Sequence, residues 1–208
     1  MEIKVFVEGP IDANNYLIID EKTRDAVLID CSSDRREFIE AVKSANVNLK
    51  YILLTHGHFD HILGVDKFNE VFGVETYVSK DDISQVELTP KFLQMFAGME
   101  PAEIKSIKNF VSDGDVFKIG DIEIKAIATP GHTQGGICYL IGDKLFSGDT
   151  LFHGSVGRCD LPDGNFDDIV KSVKEKLFVL PDTIEVYPGH GTKTTIGFEK
   201  KYNEILNI

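Results

Sequence analysis

Long apolar segments are missing from this sequence of 208 residues. No stretch approaches the roughly 20 consecutive apolar residues that a membrane-spanning helix needs, and the runs YILLT and ICYLI have the length of strands. The N-terminus, MEIKVFVEGP, alternates charged with β-branched residues and lacks the apolar stretch and cleavage site of a signal peptide. The sequence therefore predicts a protein without a membrane partner that is located in the cytoplasm.

Positive charge and cysteine are also scarce. The formal net charge is −12 and no cluster of Lys and Arg offsets it, so the surface would repel a phosphate backbone and we expect no nucleic-acid partner. The three cysteines, Cys31, Cys138 and Cys159, lie far apart and form no CxxC pair. An odd number of dispersed cysteines argues against a disulfide framework and is typical of a reducing compartment.

The remaining composition is that of an ordinary globular protein, with 42% hydrophobic and 27% charged residues. This length favours a single domain over residues 1–208. Strands are predicted at 2–7, 15–20 and 26–30, and later at KYILLT, ETYVS, GICYLI, KLFSG and TIEVY. Helices are predicted at DRREFIEAVKSA, DHILGVDKFNEVFG, residues 81–99, FDDIVKSVKEKLF and the C-terminus from Phe198. Two packed sheets with helices outside accommodate this order best, in the α/β class.

The segment THGHFDHILG, residues 55–64, concentrates three of the six histidines and an aspartate: His56, His58, Asp60 and His61. It directly follows the predicted strand KYILLT. Three more strands each end in a loop of small residues that carries one further candidate ligand: His132 in ATPGHTQGG, Asp149 in FSGDT and His190 in VYPGHG. Loops at one edge of a sheet assembly converge and are held by rigid strands, so this placement predicts one site.

Seven candidate ligands are more than the four that one zinc ion takes. They suit two divalent metal ions if one carboxylate bridges them, and Asp149 is the natural bridge. Because the set contains no thiolate, we expect a catalytic rather than a structural site, with open positions for water. Zinc is the first choice, although imidazole and carboxylate also suit iron and manganese.

Several polar side chains near these loops have an alternative role. Asp60 alone would be read as the N-cap of the following helix, but three neighbouring histidines favour a ligand. Asp30, which ends the strand AVLID, is as easily a turn residue as a partner that orients a ligand histidine. His153 in LFHGSVGR is expected in a loop away from the metals.

The pattern H-x-H-x-D-H followed by His, Asp and His resembles the metallo-β-lactamase superfamily, and TPGHTQGG, SGDTLFHGSVGRCDLPDGNFDD and VYPGHGTKTTIGFEK resemble its small glyoxalase-II-like hydrolases. The resemblance implies a four-layer αββα sandwich. It also implies that His56, His58 and His132 hold one metal, that Asp60, His61 and His190 hold the second, and that Asp149 bridges. Arg158 is a candidate contact for an anionic substrate group, and a structural Arg is an equal alternative.

By the same resemblance, the expected reaction is hydrolysis of a small-molecule thioester such as S-D-lactoylglutathione by a hydroxide shared between the metals, with Asp60 and Asp149 as catalytic residues. Two departures concern glutathione recognition: Cys159 stands where Thr is usual, and the chain ends at Ile208 without the longer helical segment of full glyoxalase II enzymes. The sequence leaves the oligomeric state open.

The main alternative is a mononuclear-iron persulfide dioxygenase, an oxidoreductase that shares H-x-H-x-D-H on the same scaffold. Those enzymes typically carry Asp-Tyr after the last histidine, where this chain has Gly191-Thr192. This difference favours the hydrolase.

Overall fold

Strand β2 (Ala13–Ile19) is buried along its whole length, and its two faces define the layers of the fold. Side chains of a strand alternate between the faces of its sheet. Leu17 and Ile19 pack outward into a cluster with helical residues, whereas Tyr16 and Ile18 pack inward into a cluster shared with a second sheet. The computed structural model, which describes residues 1–206, is therefore layered as helix, sheet, sheet and helix.

The first sheet has six strands in sequential order. Its N-terminal half is antiparallel and its C-terminal half is parallel. The strands are β1 (Glu2–Glu8), β2, β3 (Asp25–Ile29), β4 (Asn48–Leu53), β5 (Glu75–Ser79) and β6 (Asn109–Val111). Parallel neighbouring strands require crossover connections, and here these connections contain helices. The helices are α1 (Arg36–Ser44), α2 (Phe59–Ile62), α3 (Val65–Phe72), α4 (Ile83–Glu87) and α5 (Thr89–Phe92). Helix α5 continues into a π-helical turn at Leu93–Ala97.

The second sheet also has six strands, in the order β14-β13-β10-β9-β8-β7, and β10 pairs with β13 in parallel. Its strands are β7 (Val116–Ile119), β8 (Ile122–Ala128), β9 (Ile137–Ile141), β10 (Lys144–Gly148), β13 (Glu185–Pro188) and β14 (Thr194–Thr195). A separate hairpin joins β11 (Leu151–Phe152) to β12 (Ser155–Val156). Helices α6 (Phe166–Ser172), extended by a π-helical turn at Val173–Leu177, and α7 (Ile196–Tyr202) cover the outer face.

The predicted αββα architecture is confirmed, and the first three strands differ from their predicted bounds by at most two residues. Two details of the prediction were wrong. The helix DHILGVDKFNEVFG is divided into α2 and α3 at Gly64, because Gly64 N–H donates to Cys31 C=O at 2.8 Å and a Cβ there would lie 2.2 Å from Ser33 C=O. Residues 81–99 form several short helical segments rather than one helix. Within residues 1–206 no helix is long and apolar enough to cross a membrane.

Tyr139 provides a test of the packing between the sheets. Its side chain is fully buried on β9 and its hydroxyl donates to Leu54 C=O at 2.8 Å, just beyond β4. Tyr139→Phe leaves that carbonyl without this donor, so we expect the free energy of unfolding to fall by about 1–2 kcal/mol. Urea unfolding of the metal-free protein measures the change.

Tyr77→Phe is the matched control, because the hydroxyl of Tyr77 donates to Glu75 in an exposed position where water replaces the lost partner. We expect that variant to change the free energy of unfolding by less than about 0.5 kcal/mol. Equal effects of the two substitutions would show that the bond to Leu54 does not stabilise the packing.

Candidate metal centre

Four strand ends, from both sheets, bring the seven predicted residues to one edge of the sandwich. His56 and His58 follow β4, and Asp60 and His61 lie in the first turn of α2. The other three residues, which follow β8, β10 and β13, are His132, Asp149 and His190. All seven fall into overlapping groups whose nitrogen and oxygen donors lie within 4.8 Å of one another.

One group consists of His56, His58 and His132, all buried. His58 Nδ1 lies 2.9 Å from His132 Nε2. The other group consists of Asp60, His61 and His190. There Asp60 Oδ2 lies 3.1 Å from His190 Nε2 and 3.3 Å from His61 Nε2.

Asp149 lies between the two groups and faces each with a different oxygen. Its Oδ1 is 3.5 Å from His61 Nε2, and its Oδ2 is 3.5 Å from His132 Nε2. Asp149 also forms a third group with His56 and His61. This is the arrangement that a carboxylate shared by two cations requires.

The donor set fits divalent cations. Among residues 1–206, His56 Nε2 and Asp149 Oδ1 are buried and have no hydrogen-bond partner, which is costly unless a cation satisfies them. Two ligands that each lie about 2.1 Å from a tetrahedral ion are about 3.4 Å apart. The separations of 3.3 and 3.5 Å between His61 Nε2 and its carboxylate neighbours agree with that value.

Asp30 orients histidines of both groups with one buried carboxylate. Its Oδ2 accepts from His61 Nδ1 at 2.8 Å. Asp30 Oδ1 accepts from the backbone N–H of Thr55 at 2.7 Å, and Oδ2 also accepts from the Thr55 hydroxyl at 2.8 Å; that hydroxyl lies 3.0 Å from His56 Nδ1. The Nδ1 atoms of His56 and His61, which point away from the cluster, are thus hydrogen-bonded. Their Nε2 atoms, which face the cluster, keep a lone pair for a cation. Of the two roles considered for Asp30, the structure favours this one.

His132 and His190 also face the cluster with Nε2, and backbone carbonyls contact their Nδ1 atoms. His132 Nδ1 donates to Arg158 C=O at 2.7 Å, and His190 Nδ1 lies 3.3 Å from Asp12 C=O. The loop that carries His190 is fastened to β2 by Asn14, whose amide donates to Pro188 C=O at 2.9 Å and to Gly191 C=O at 3.0 Å. The four histidines whose Nε2 faces the cluster, which are His56, His61, His132 and His190, therefore each have a defined ring orientation.

Close approach explains the glycine that precedes His190. A Cβ at Gly189 would lie 2.2 Å from Asp149 Oδ1 and 2.8 Å from His61 Cε1. A side chain at position 189 would therefore displace His61 and also Asp149, which lies between the two groups.

Asp82 is a residue that the sequence analysis missed. It is fully buried, and it accepts hydrogen bonds from Gly57 N–H at 2.8 Å, from the Thr133 hydroxyl at 2.8 Å and from Gly135 N–H at 2.6 Å. Burial raises the pKa of Asp82, although these donors act in the opposite direction. Its carboxylate ties the loop of His56 and His58 to the loop of His132. Position 82 lies in a predicted helix without a ligand motif, so only the folded chain reveals this contact.

The proton affinities of four histidines differ according to the group in which they lie. Burial, followed by repulsion from neighbouring imidazoles, holds the pKa of His56 well below its usual value and lowers that of His58 to about 4. Burial also opposes the charged form of His61, but Asp60, Asp30 and Asp149 outweigh it and raise the pKa of His61 well above its usual value. Burial likewise opposes the charged form of His190, but the hydrogen bond that its ring donates to Asp60 and the charges of Asp149 and Asp60 together outweigh it and raise the pKa.

Three further residues that the sequence singled out, Arg158, Cys159 and His153, do not belong to the donor groups. Arg158 lines the adjacent cavity, but its guanidinium forms a paired contact with Asp160, at 2.7 and 2.8 Å. The thiol of Cys159 contacts Gly157 C=O at 3.4 Å. His153 is exposed and its ring stacks on Phe198, with centroids 4.7 Å apart, so it lies outside the cluster as predicted.

Known proteins resemble this chain over its whole length. Residues 9–190 match the family model of the metallo-beta-lactamase superfamily. The hydroxyacylglutathione hydrolase GloC of Haemophilus influenzae is 33% identical, over 100% of this chain and 99% of that protein. A crystal structure of the BLEG-1 B3 metallo-beta-lactamase superimposes with a TM-score of 0.91 at 30% identity and covers 100% of both chains. A structure of TTHA1623 in a di-iron-bound form gives a TM-score of 0.87 at 29% identity, over 98% of this chain and 100% of that one.

We predict that Asp82→Asn weakens metal binding by His56, His58 and His132. An amide offers one acceptor oxygen, so it cannot serve all three donors that now contact the carboxylate. Loss of a residue that orients ligands typically lowers metal affinity by about 10–100-fold. Competition for zinc against a chromophoric chelator measures the loss. Asp81→Asn, at the exposed neighbouring position, is the control; unchanged affinity in a folded Asp82→Asn variant would refute the role.

Acid should remove metal from the two groups at different pH values. A bound metal requires neutral imidazole, so a raised pKa lets protons compete at higher pH. Since the pKa values of His61 and His190 are raised and those of His56 and His58 are lowered, we expect the Asp60–His61–His190 group to lose its ion first as the pH falls.

Metal content after dialysis at a series of pH values tests this order. In the His190→Asn variant, we expect the metal ion of the Asp60–His61–His190 group, which is lost at the higher pH, to be absent, and the other metal ion to remain. Simultaneous loss of both equivalents in the unsubstituted protein would contradict the assignment.

Proposed function

The chain belongs to the metallo-beta-lactamase superfamily, and we propose that it is a binuclear metal-dependent hydrolase that cleaves thioesters such as S-D-lactoylglutathione. The observation that carries the proposal is the position of Asp149, which faces both groups of donors from the floor of an open cavity. The match to GloC over essentially the full length of both chains supports the choice of a thioester.

We assign His56, His58 and His132 to one metal, Asp60, His61 and His190 to the other, and Asp149 to both, in keeping with the groups described above. Divalent cations at such a site polarise a carbonyl and make hydroxide available near neutral pH. Zinc is our first choice, and iron is the alternative because the similar structure of TTHA1623 is of a di-iron-bound form.

The chain's own residues position the reactants. His58, Asp60, His132, Asp149 and His190 all reach the cavity surface, so a substrate in the cavity contacts both groups. Asp60 is held by His61 and His190, and its place at the cavity wall allows it to orient the attacking water as well as to hold a metal. The leaving thiolate has a conjugate acid with a pKa of about 8.5, so little proton donation is needed at neutral pH. This agrees with a cavity whose wall provides no separate acid beside the cluster within residues 1–206.

The test is the release of glutathione from S-D-lactoylglutathione by zinc-loaded protein. Asp149→Asn keeps the side-chain size but removes the charge that faces both groups, so we expect loss of at least one metal equivalent and a fall in kcat/KM of about 1000-fold or more. Thiol release and metal analysis are measured on the same sample. His153→Asn is the matched control, since His153 is an exposed histidine outside the cluster, and it should retain both properties.

Absence of thiol release from protein that carries two metal equivalents would reject this substrate. Turnover that persists undiminished in Asp149→Asn would reject the assigned centre. Oxygen uptake with a persulfide by the iron-loaded protein would instead support the oxidoreductase alternative.

A further inference from the structure

The cavity beside the metal cluster has a volume of about 490 Å³, in the range of small-molecule sites. Beyond the cluster residues, its wall is apolar except at Arg158. The apolar residues are Ile11, Phe59, Phe92, Phe96, Phe152 and Leu161. A cavity of this composition favours a substrate part that gains by leaving water.

Three phenylalanines form a continuous aromatic wall on the side of His58. The ring of Phe92 lies 6.3 Å from that of His58, and Phe96 lies 5.4 Å from Phe92. Phe96 is also nearly parallel to Phe59, at 8° and 6.4 Å. Phe59 and Phe92 are buried, but Phe96, in the π-helical turn, remains 45% exposed at the cavity. An exposed ring that continues a buried aromatic cluster offers an unfilled contact surface.

The opposite side of the cavity is apolar as well. Phe152, on β11, lies with its ring 6.4 Å from that of His190. The two donor groups are therefore flanked by aromatic rings at both ends. A group attached to a carbonyl at the cluster would lie between these rings.

Positive charge is the feature that this wall lacks. Arg158 is the one Lys or Arg among the lining residues of the described chain, and both carboxylate oxygens of Asp160 already contact its guanidinium. Glutathione carries two carboxylates, which need cationic or N–H partners to offset their desolvation. The net charge of −12 disfavours such an anion further.

We infer that the preferred substrates are thioesters with a bulky apolar acyl group, and that glutathione is not selected as the thiol. This inference rests on the proposed thioester hydrolysis. In that reaction the oxygen of water forms a bond to the acyl carbon, the C–S bond breaks, and the products are the carboxylic acid and the thiol. Phe96 contacts the acyl group and thereby determines specificity.

The test compares thioesters that combine different acyl groups with different thiols, each assayed with the zinc-loaded full-length protein. Acetyl, lactoyl and phenylacetyl thioesters are prepared from both N-acetylcysteamine, which is neutral, and glutathione. We expect kcat/KM for phenylacetyl to exceed that for lactoyl by about tenfold or more with either thiol, because the ring enters an apolar pocket. For a given acyl group, glutathione should bring no advantage.

Phe96→Ala should reduce the ratio of phenylacetyl to lactoyl kcat/KM by about fivefold or more, mainly through KM. Phe110→Ala is the matched control, because Phe110 is 46% exposed, close to the 45% of Phe96, and does not line the cavity. It should leave the ratio unchanged. A ratio near one in the unsubstituted protein, or equal effects of both substitutions, would overturn the inference.

Failure of the inference is distinguishable from failure of the proposed function. Rapid hydrolysis confined to glutathione thioesters, and indifferent to Phe96, would retain the thioesterase and reject the apolar specificity. If no thioester reacts, calorimetric binding of phenylacetate and lactate to the metal-loaded protein still decides the pocket's preference. Tighter binding of phenylacetate that depends on Phe96 would support it, and equal binding would reject it.

Discussion

Crowding of lone pairs and negative charge at one edge of the sandwich is the constraint on which the rest of the site depends. Among residues 1–206, His56 Nε2 and Asp149 Oδ1 are buried without a hydrogen-bond partner, and Asp149 directs its two oxygens toward opposite groups. A polypeptide maintains such an arrangement only if its surroundings prevent the side chains from turning away. Cations between the donors relieve the crowding, which is why the same geometry that is unfavourable without metal favours its binding.

The surroundings supply this rigidity through a few buried polar groups. Asp30 joins His61 to Thr55, and Thr55 to His56, so one carboxylate orients histidines of both groups. Asp82 joins the loop of Gly57 to the loop of Thr133, although these loops follow strands in different sheets. Neither Asp30 nor Asp82 lines the cavity, but they hold the candidate metal ligands at the separations observed.

Part of the cavity wall comes from segments that carry no donor of the centre. Five of the donors follow the ends of strands β4, β8, β10 and β13, and Asp60 and His61 lie in α2, whereas Phe92 and Phe96 come from α5 and the π-helical turn. Loops and short helices tolerate change more readily than strand ends that hold several ligands. The family match places this chain in its superfamily, whereas selection among acyl groups by the apolar wall belongs to the thioesterase that we propose.

The sequence by itself determined the layers and the list of donors. Alternating apolar residues predict the strands, and donors that follow four of them, at His56, His132, Asp149 and His190, predict convergence, because strand ends meet at one edge. Only the tertiary structure decided what lies around those donors. Asp82 falls in a segment whose pattern indicates an ordinary helix, and the partners of its carboxylate are 25 to 53 residues distant. The division of the helix at Gly64 likewise depends on contacts with Cys31 and Ser33, which are remote in sequence. The exposure of Phe96 depends on the path of the π-helical turn that carries it. The spacing of apolar residues predicts which face of a helix or strand is buried, but it does not predict which distant residues pack against that face.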